Sequence, residues 1–331
     1  MGISKWELVL NSVNDPGPVI VAEGLWKSYG DVPAVRDLSF TVRAGTIFGL
    51  LGPNGAGKTT TINMLTTLLP IDSGTASVSG FDLEASPDAV RQVIGLAGQA
   101  AAIDEKLTAR ENLEMFGRLY KMPKTARRRR VEELIDQFRM TEYADRPVST
   151  YSGGQRRRLD VVAALIASPP ALFLDEPTTG LDPRSRVELW DEIRALADGG
   201  TAVVLTTQYL EEADRLADYI VIMDQGTVVA AGTAAELKDN LDRDVLEVHF
   251  GSVEDLEKAI GLLNREEYGT DTATAQLTIP VNDGSASSLA MLRRFEDAGI
   301  PIIDFHYRRP TLDDVFMSHT DEEPAGAEVS P

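Results

Sequence analysis

The sequence predicts an α/β fold with a larger core followed by a smaller α/β domain, and three observations carry that prediction. Gly52-Pro53-Asn54-Gly55-Ala56-Gly57-Lys58-Thr59 has the spacing of a phosphate-binding loop and lies between an apolar run at 47–51 and a helix-like run at 60–69. A second apolar run, 171–174, ends in the paired carboxylates Asp175-Glu176, and a third, 202–206, ends in Thr207-Gln208-Tyr209. Short apolar strands alternating with helical stretches are the pattern of an α/β architecture.

The loop residues explain themselves physically. Glycines let backbone N–H groups turn inward around phosphates, and the helix that follows presents its positive end to them. Lys58 is placed to reach the β- and γ-phosphates, and the Thr59 hydroxyl to bind Mg²⁺. Gly52 to Thr60 is therefore the candidate nucleotide-contact set. A plain Gly-rich turn does not require a strand before it and a helix after it, and here both are present.

At 331 residues the chain has room for one large domain and one smaller one. It contains no cysteine, which excludes disulfides and thiolate metal sites. No uncharged apolar run reaches the ~18 to 20 residues that span a bilayer, and the N-terminus lacks the basic start and apolar centre of a signal peptide, so the chain is expected to be soluble by itself. A net charge of −20 argues against nucleic acid as a partner, because phosphate backbones call for a basic face.

In chain order, 1–18 has little pattern and is expected to be a flexible segment. Residues 19–23 open a strand leading to Tyr29, which can stack on a nucleotide base; the competing reading is a strand-end tyrosine. Residues 35–42 alternate as a strand, 75–79 form a short one, and 93–97 form a buried one that ends at Gly98-Gln99. From 107 to 140 the pattern is helical. It opens with a capping box at Thr108 and Glu111, then places Leu113, Phe116 and Tyr120 on one face and Val131, Leu134, Ile135 and Phe138 on another. The Arg127 to Arg130 run is read as a solvated helix end, with contact to anionic lipid head groups as the alternative.

Tyr151-Ser152-Gly153-Gly154-Gln155 precedes a helical run at 156–167 and forms a second anion-receptive helix end; alone it would be an ordinary cap. Strand alternation is expected to send Asp175 and Glu176 to opposite sides, Asp175 to the Mg²⁺ shell and Glu176 to the attacking water as general base. A helix is expected at 184–197. Beyond it, 242–320 has its own pattern of strands at 245–250, 275–281 and 300–307 with helices near 253–263 and 287–298. The predicted division is a cassette at 19–240 with a helical part at about 100–165, a small α/β domain at 241–319 and a disordered acidic tail at 320–331.

Taken together, residues 19–240 resemble an ABC-transporter ATP-binding cassette. The resemblance rests on the ordered set of phosphate loop, Gln99, Ser152-Gly153-Gly154-Gln155, Asp175-Glu176 and Leu181-Asp182. It implies a P-loop NTPase with a RecA-like core, an antiparallel β subdomain and a helical subdomain, using ATP and Mg²⁺. It also implies a homodimer in which two cassettes close head to tail around two ATP molecules. Ser152, Gly153, Gly154 and Gln155 would then act in trans on the nucleotide held by the other subunit. Gln99 would contact Mg²⁺ and the lytic water, and Asp182 would lie at the dimer seam.

Two positions depart from the general family pattern. The signature segment begins with Tyr151 where the family usually has Leu, a change at a packing position. Gln208 stands where the family usually has a His, and all three histidines lie outside the cassette, at 249, 306 and 319. A Gln amide donates a hydrogen bond but carries no positive charge. Slow hydrolysis is therefore expected, with Glu176 the main catalytic group and Lys58, Gln99 and Gln208 completing the set.

The stretches Thr206 to Asp214 and Arg309 to Phe316 are similar to a narrower group, the ATP-binding subunits of daunorubicin-resistance-type exporters, which work with a separately encoded ABC-2-type membrane protein. In that group a Gln at the switch position is usual. This resemblance implies an ATPase that powers efflux of a hydrophobic drug or antibiotic, peripheral to the cytoplasmic face of the membrane through its permease. The alternatives are a soluble ABC ATPase of translation or DNA repair, a nucleotide switch without hydrolysis, and an exporter of lipid or glycoconjugate. The C-terminal domain is open between cassette dimerisation, contact with the membrane subunit, regulation and a stabilising extension.

Overall fold

Apolar runs without alternation belong to strands covered on both faces, and three such runs form inner strands of the six-stranded sheet. The computed structural model describes residues 17–98, 102–241, 244–263, 268–281 and 284–320. The chain divides into two units, Met1–Thr233 and Ala234–Pro331. The expected flexible start (but for its last two residues) and all but the first residue of the expected acidic tail lie outside the described residues, as does Gln99.

The first unit opens with β1 (Ile20–Tyr29), β2 (Val32–Val42), β3 (Ile47–Leu51), α1 (Lys58–Leu65), β4 (Ser73–Val78) and β5 (Phe81–Asp82). It continues through α2 (Pro87–Val93), β6 (Ile94–Ala97), α3 (Ala109–Leu119), α4 (Lys124–Gln137) and α5 (Gly153–Ala164). It closes with β7 (Ala171–Asp175), α6 (Pro183–Asp198), β8 (Ala202–Thr207), α7 (Leu210–Leu216), β9 (Tyr219–Asp224) and β10 (Thr227–Gly232).

Two sheets result. One is antiparallel in the order β2-β1-β4-β5, and the other has the order β10-β9-β3-β8-β7-β6. In the second, β3 pairs parallel with β8 and β9, and β7 pairs parallel with β6 and β8. Every residue of β3, β7 and β8 is buried. Successive residues feed opposite faces: Leu172 and Leu174 join the core under α3 to α6, while Ala171 and Phe173 join the core shared with β1, β2 and α1. Phe40 of β2 stacks on Phe48 of β3 with ring centroids 4.4 Å apart, tying the sheets together.

The helical part follows from local signals. Thr108 Oγ1 accepts from Glu111 N–H at 3.1 Å and a Glu111 carboxylate oxygen accepts from Thr108 N–H at 2.9 Å, so the capping box forms. Between α3 and α4 the chain turns at Lys121, which has a φ of 57°, and Pro123 prevents the first helix from running on. The helix after the phosphate loop starts earlier than its apolar pattern, at Lys58, and ends earlier, since Thr66 caps it and Thr67 has a φ of 60°. Among the described residues no helix is long and apolar enough to cross a membrane.

The second unit contains α8 (Ala234–Asp239), β11 (Asp244–Phe250), α9 (Val253–Gly261), β12 (Gly269–Asp271), β13 (Gln276–Val281), α10 (Gly284–Asp297), β14 (Ile302–Arg308) and α11 (Leu312–Thr320). Its sheet is antiparallel in the order β12-β13-β11-β14. Alternate residues Leu246, Val248 and Phe250 meet Leu256 of α9 and Phe295 of α10 in a separate core. The division falls before α8, so that helix belongs to this unit rather than to the end of the cassette. The 309–316 motif has a local job: the Asp314 carboxylate accepts from Thr311 N–H at 2.7 Å and from Arg308 Nη1 at 2.5 Å, opening α11.

Candidate nucleotide site

The parallel register sets three strand ends side by side. Leu51 pairs with Thr207, and Asp175 with Thr206, so the chain leaves β3, β8 and β7 at one edge of the sheet. This edge, beyond the carboxyl ends of parallel strands, is where open α/β sheets hold ligands. The phosphate loop fills it between β3 and α1. A Cβ on Gly52 would lie 2.2 Å from Met223 O and one on Gly57 2.2 Å from Ala34 O, with φ of 152° and 103°, so neither position admits a side chain.

Lys58 is 4 % exposed. Its Nζ donates to Gly52 O at 2.7 Å and to Pro53 O at 3.0 Å, and lies 3.9 Å from Glu176 Oε1. Burial lowers its pKa, with the Glu176 and Asp175 carboxylates opposing the shift. Thr59 Oγ1 donates to Asp175 Oδ1 at 3.2 Å, and Thr206 Oγ1 donates to the same oxygen at 2.5 Å. A cavity of about 180 Å³ is lined by Asn54, Gly55, Gly57, Lys58, Thr59, Thr60 and Glu176. Ala56, 2 % exposed, packs in the core instead.

The paired carboxylates are not separated by strand alternation. The ladder ends at Asp175, and Glu176 takes a left-handed conformation with a φ of 51°. Its N–H donates to Thr206 O at 3.1 Å and to Thr206 Oγ1 at 3.0 Å, and its Oε2 accepts from Thr179 Oγ1 at 3.1 Å. That turn keeps Glu176 on the Lys58 side of the loop beside Asp175. For a residue with a Cβ the conformation costs roughly 1–3 kcal/mol, which the surrounding bonds must offset.

A divalent cation fits this donor set. Among the described residues no group of three His, Cys, Asp or Glu could hold a metal alone. One carboxylate, Asp175, already meets the Thr59 hydroxyl, and Mg²⁺ is characteristically held by one or two carboxylates with phosphate oxygens and waters.

Tyr29 ends β1 half exposed, opposite Val32. The same hairpin brings Ala34 against Gly57, so the ring belongs to the element that packs on the loop. Gln208 is exposed immediately after β8. Ser152 caps α5: its Oγ accepts from Gln155 N–H at 3.2 Å, and Gln155 Oε1 accepts from Ser152 N–H at 3.0 Å. A Cβ on Gly153 would meet nothing within 4 Å, and one on Gly154 would lie 3.2 Å from Ser185 Oγ. None of Ser152, Gly153, Gly154 and Gln155 lines the cavity of their own chain.

Tyr151 is buried, donates its hydroxyl to Tyr143 O at 2.6 Å and meets the Tyr143 ring edge-on, as a packing position does. Asp182 caps α6, accepting from Ser185 N–H at 3.0 Å and Ser185 Oγ at 2.6 Å, and these bonds hold its carboxyl below the usual range. The arginine run is paired rather than uniformly solvated. Arg127 is buried, Arg129 and Arg130 lie 3.3 and 3.7 Å from Glu133, and Arg128 lies 3.9 Å from Glu114.

Sequence reasoning missed three residues here. Thr206 touches both Asp175 and Glu176, whereas the sequence marks it only as the start of the Thr206 to Asp214 stretch, with no role at the carboxylates. Arg157 reaches from α5 to the backbone on both sides of Glu176; its signal is an Arg beside Asp160 in a helix whose neighbouring residues Leu159, Val161 and Val162 are fully buried. Glu212 of α7 is wholly buried and accepts from Trp190 Nε1 at 2.9 Å, and burial raises its carboxyl.

The ABC transporter family model matches residues 35–179, and that of the C-terminal domain of DrrA1-3-like ATP-binding proteins matches residues 232–320. The daunorubicin resistance ATP-binding protein DrrA3 of Streptomyces coeruleorubidus is 48 % identical over 92 % of this chain and 96 % of its own. The daunorubicin/doxorubicin resistance ATP-binding protein DrrA of Streptomyces peucetius is 46 % identical over 92 % of this chain and 93 % of its own. A Nod factor export ATP-binding protein I from Ralstonia nicotianae is 37 % identical over 92 % and 95 %. Among solved structures, an ATP-binding subunit of an ABC transporter aligns with a TM-score of 0.62 at 28 % identity, covering 67 % of this chain and 93 % of that one. A dimeric ATP-binding cassette in a post-hydrolysis state, bound to ADP and Pi, shares the fold with a TM-score of 0.59 at 24 % identity, covering 65 % of this chain and 98 % of that one. With its phosphate loop and carboxylates on the shared sheet edge and relatives that match nearly its whole length, this chain belongs to the ABC-transporter ATP-binding family, among the daunorubicin/doxorubicin-resistance type.

Proposed function

We propose that this ATPase powers an exporter of a hydrophobic drug or antibiotic, working at the cytoplasmic face of the membrane through a separate ABC-2-type permease. The observation that carries the catalytic part is the convergence of Lys58, Thr59 and Glu176 on one cavity of about 180 Å³, with Asp175 hydrogen-bonded to Thr59. Lys58 exchanges its bonds to Gly52 O and Pro53 O for the β- and γ-phosphates of ATP. The Thr59 hydroxyl and Asp175 carboxylate would hold Mg²⁺, which would supply charge neutralisation on the transferred phosphoryl group. Glu176 takes the proton of the attacking water, and Tyr29 stacks on the base.

Two copies close around two nucleotides, so that Ser152, Gly153, Gly154 and Gln155 of one serve the γ-phosphate held by the other. Support comes from the capped α5 terminus, which does not line the nucleotide cavity of its own chain, and from the dimeric cassette of the same fold. Gln99 and Gln208 complete each site and Asp182 lies at the seam. The drug cargo rests on relatives 46–48 % identical that are named for daunorubicin resistance. A second cargo reading, export of a glycoconjugate, is favoured by the Nod factor export relative.

The test is capture of Glu176→Gln protein from gently solubilised native membranes with ATP present, followed by identification of what comes with it. Recovery of a polytopic protein without a phosphate loop supports the exporter, and recovery of ribosomes or repair factors sinks it. Inside-out vesicles carrying both subunits should then take up doxorubicin when ATP is added; uptake of a glycoconjugate instead selects the second cargo.

A further inference from the structure

Glu176 is held in a backbone conformation that residues with a Cβ avoid, and one side chain from another element bonds the carbonyls on both sides of it. That side chain is Arg157, in the second turn of α5. Its Nη2 donates to Asp175 O at 2.7 Å and its Nε to Pro177 O at 2.9 Å. Its Nη1 donates to Gly98 O at 2.5 Å and to Asp160 Oδ2 at 3.1 Å. All three guanidinium nitrogens are thus engaged, with the side chain 12 % exposed.

The geometry belongs to arginine. A planar fork of five N–H donors can span carbonyls from three places at once, while a lysine ammonium is a point donor and a glutamine offers two hydrogens. The three carbonyls are not equivalent. Asp175 O and Pro177 O bracket Glu176, so fixing both restrains the torsions that aim its carboxylate at the cavity. Gly98 O directly follows the end of β6. Arg157 itself stands directly behind the Ser152-Gly153-Gly154-Gln155 terminus of α5.

We propose that Arg157 is a positioning residue that fixes the backbone of Glu176 and ties it to α5, so that the general base of one site and the signature segment offered to the partner's site move together. This rests on the reading that two cassettes share their sites. Asp160 keeps the guanidinium oriented within the helix, and its own carboxyl is not needed at the nucleotide. Loss of Arg157 frees Glu176 to leave its left-handed conformation and uncouples α5, while none of its hydrogen bonds is to a phosphate-loop residue.

The experiment uses the full chain as wild type, Arg157→Gln and Arg157→Lys, measured by ATPase kinetics and by affinity for a fluorescent ATP analogue. The same substitutions placed on Glu176→Gln are measured for ATP-driven dimerisation by light scattering. Folded Arg157→Gln is expected to bind the analogue within about threefold of wild type, to lose about twentyfold or more in kcat with little change in KM, and to form no ATP-driven dimer; Arg157→Lys is expected to fall between. A kcat within about threefold of wild type overturns the proposal, as does analogue affinity that falls in step with kcat, which would mark a merely structural role. Should Arg157→Gln fail to fold, Arg157→Lys decides by the same criteria. If Glu176→Gln alone does not dimerise with ATP, the paired-cassette reading and the coupling half of the proposal fall together, and the kcat comparison still decides whether Arg157 positions Glu176.

Discussion

Glu176 Oε1 lies 3.9 Å from Lys58 Nζ, yet the two follow different strands, one beyond β7 and the other at the start of α1 after β3, with β8 between them. The lysine is parked on Gly52 O and Pro53 O, so its charge serves the loop itself, while Glu176 has its second oxygen on Thr179. Glu176→Gln keeps the shape and removes the proposed base. ATP turnover is expected to fall by about 10²- to 10⁴-fold with ATP affinity retained, whereas Gln208→Ala should cost less. Steady-state ATPase assays decide the assignment: the reverse ranking would transfer the main catalytic role to Gln208.

Thr206 ties the two carboxylate residues together through one hydroxyl, which donates to Asp175 Oδ1 and accepts from Glu176 N–H. Thr206→Val leaves the buried volume nearly unchanged but strips Asp175 of that donor. A loss of about 1.5–3 kcal/mol in urea unfolding is expected for the lost hydrogen bond to a carboxylate, which keeps its bond from Thr59 Oγ1. Because a small displacement of a reacting group can cost about 10²-fold, kcat should also fall, and Thr206→Ser should restore it. Unchanged kcat in Thr206→Val would show that the Glu176 backbone is held without this hydroxyl.

The phosphate loop was legible because its chemistry demands glycines where backbone must pass within contact of Met223 and Ala34, so the constraint is written in local residue types. The buried strands were legible because full burial leaves continuous apolar runs. The position of Glu176 was not, since a strand reads as alternating until its last residue, and only a bond from Thr206 and the reach of Arg157 turn the chain at that point. Those partners lie 30 and about 20 residues away, and no local pattern encodes them. In the C-terminal unit, α11 escaped because its start is set by Arg308 and Thr311 meeting Asp314 rather than by periodicity.

Tyr29, half exposed at the end of β1, gives a prediction that separates stacking from packing. Stacking of an aromatic side chain on a base contributes about 1–3 kcal/mol, so Tyr29→Ala should weaken ATP binding by roughly 5- to 150-fold, and Tyr29→Phe should leave it nearly unchanged. A titration with a fluorescent ATP analogue measures both. Equal affinity for Tyr29→Ala and wild type would return this residue to a strand-end role.

The pH dependence of stability has a less usual sign in this cassette. Glu192 of α6 is pushed up from 4.5 to about 7, first by burial, with Arg158 Nε 3.3 Å away pulling the other way and Glu188 adding to the rise. A carboxyl whose folded pKa exceeds its unfolded value favours the folded state when protonated. Its contribution is full below about 4.5 and is lost as pH rises through about 7, so it opposes the stabilisation that carboxylates of lowered pKa gain over the acid range. Glu192→Gln removes this titration. Urea unfolding between pH 4.5 and 8 should therefore show the variant gaining stability relative to wild type as pH rises to about 7, then running parallel to it. A stability difference independent of pH would mean that Glu192 is already ionised through that range, held so by Arg158.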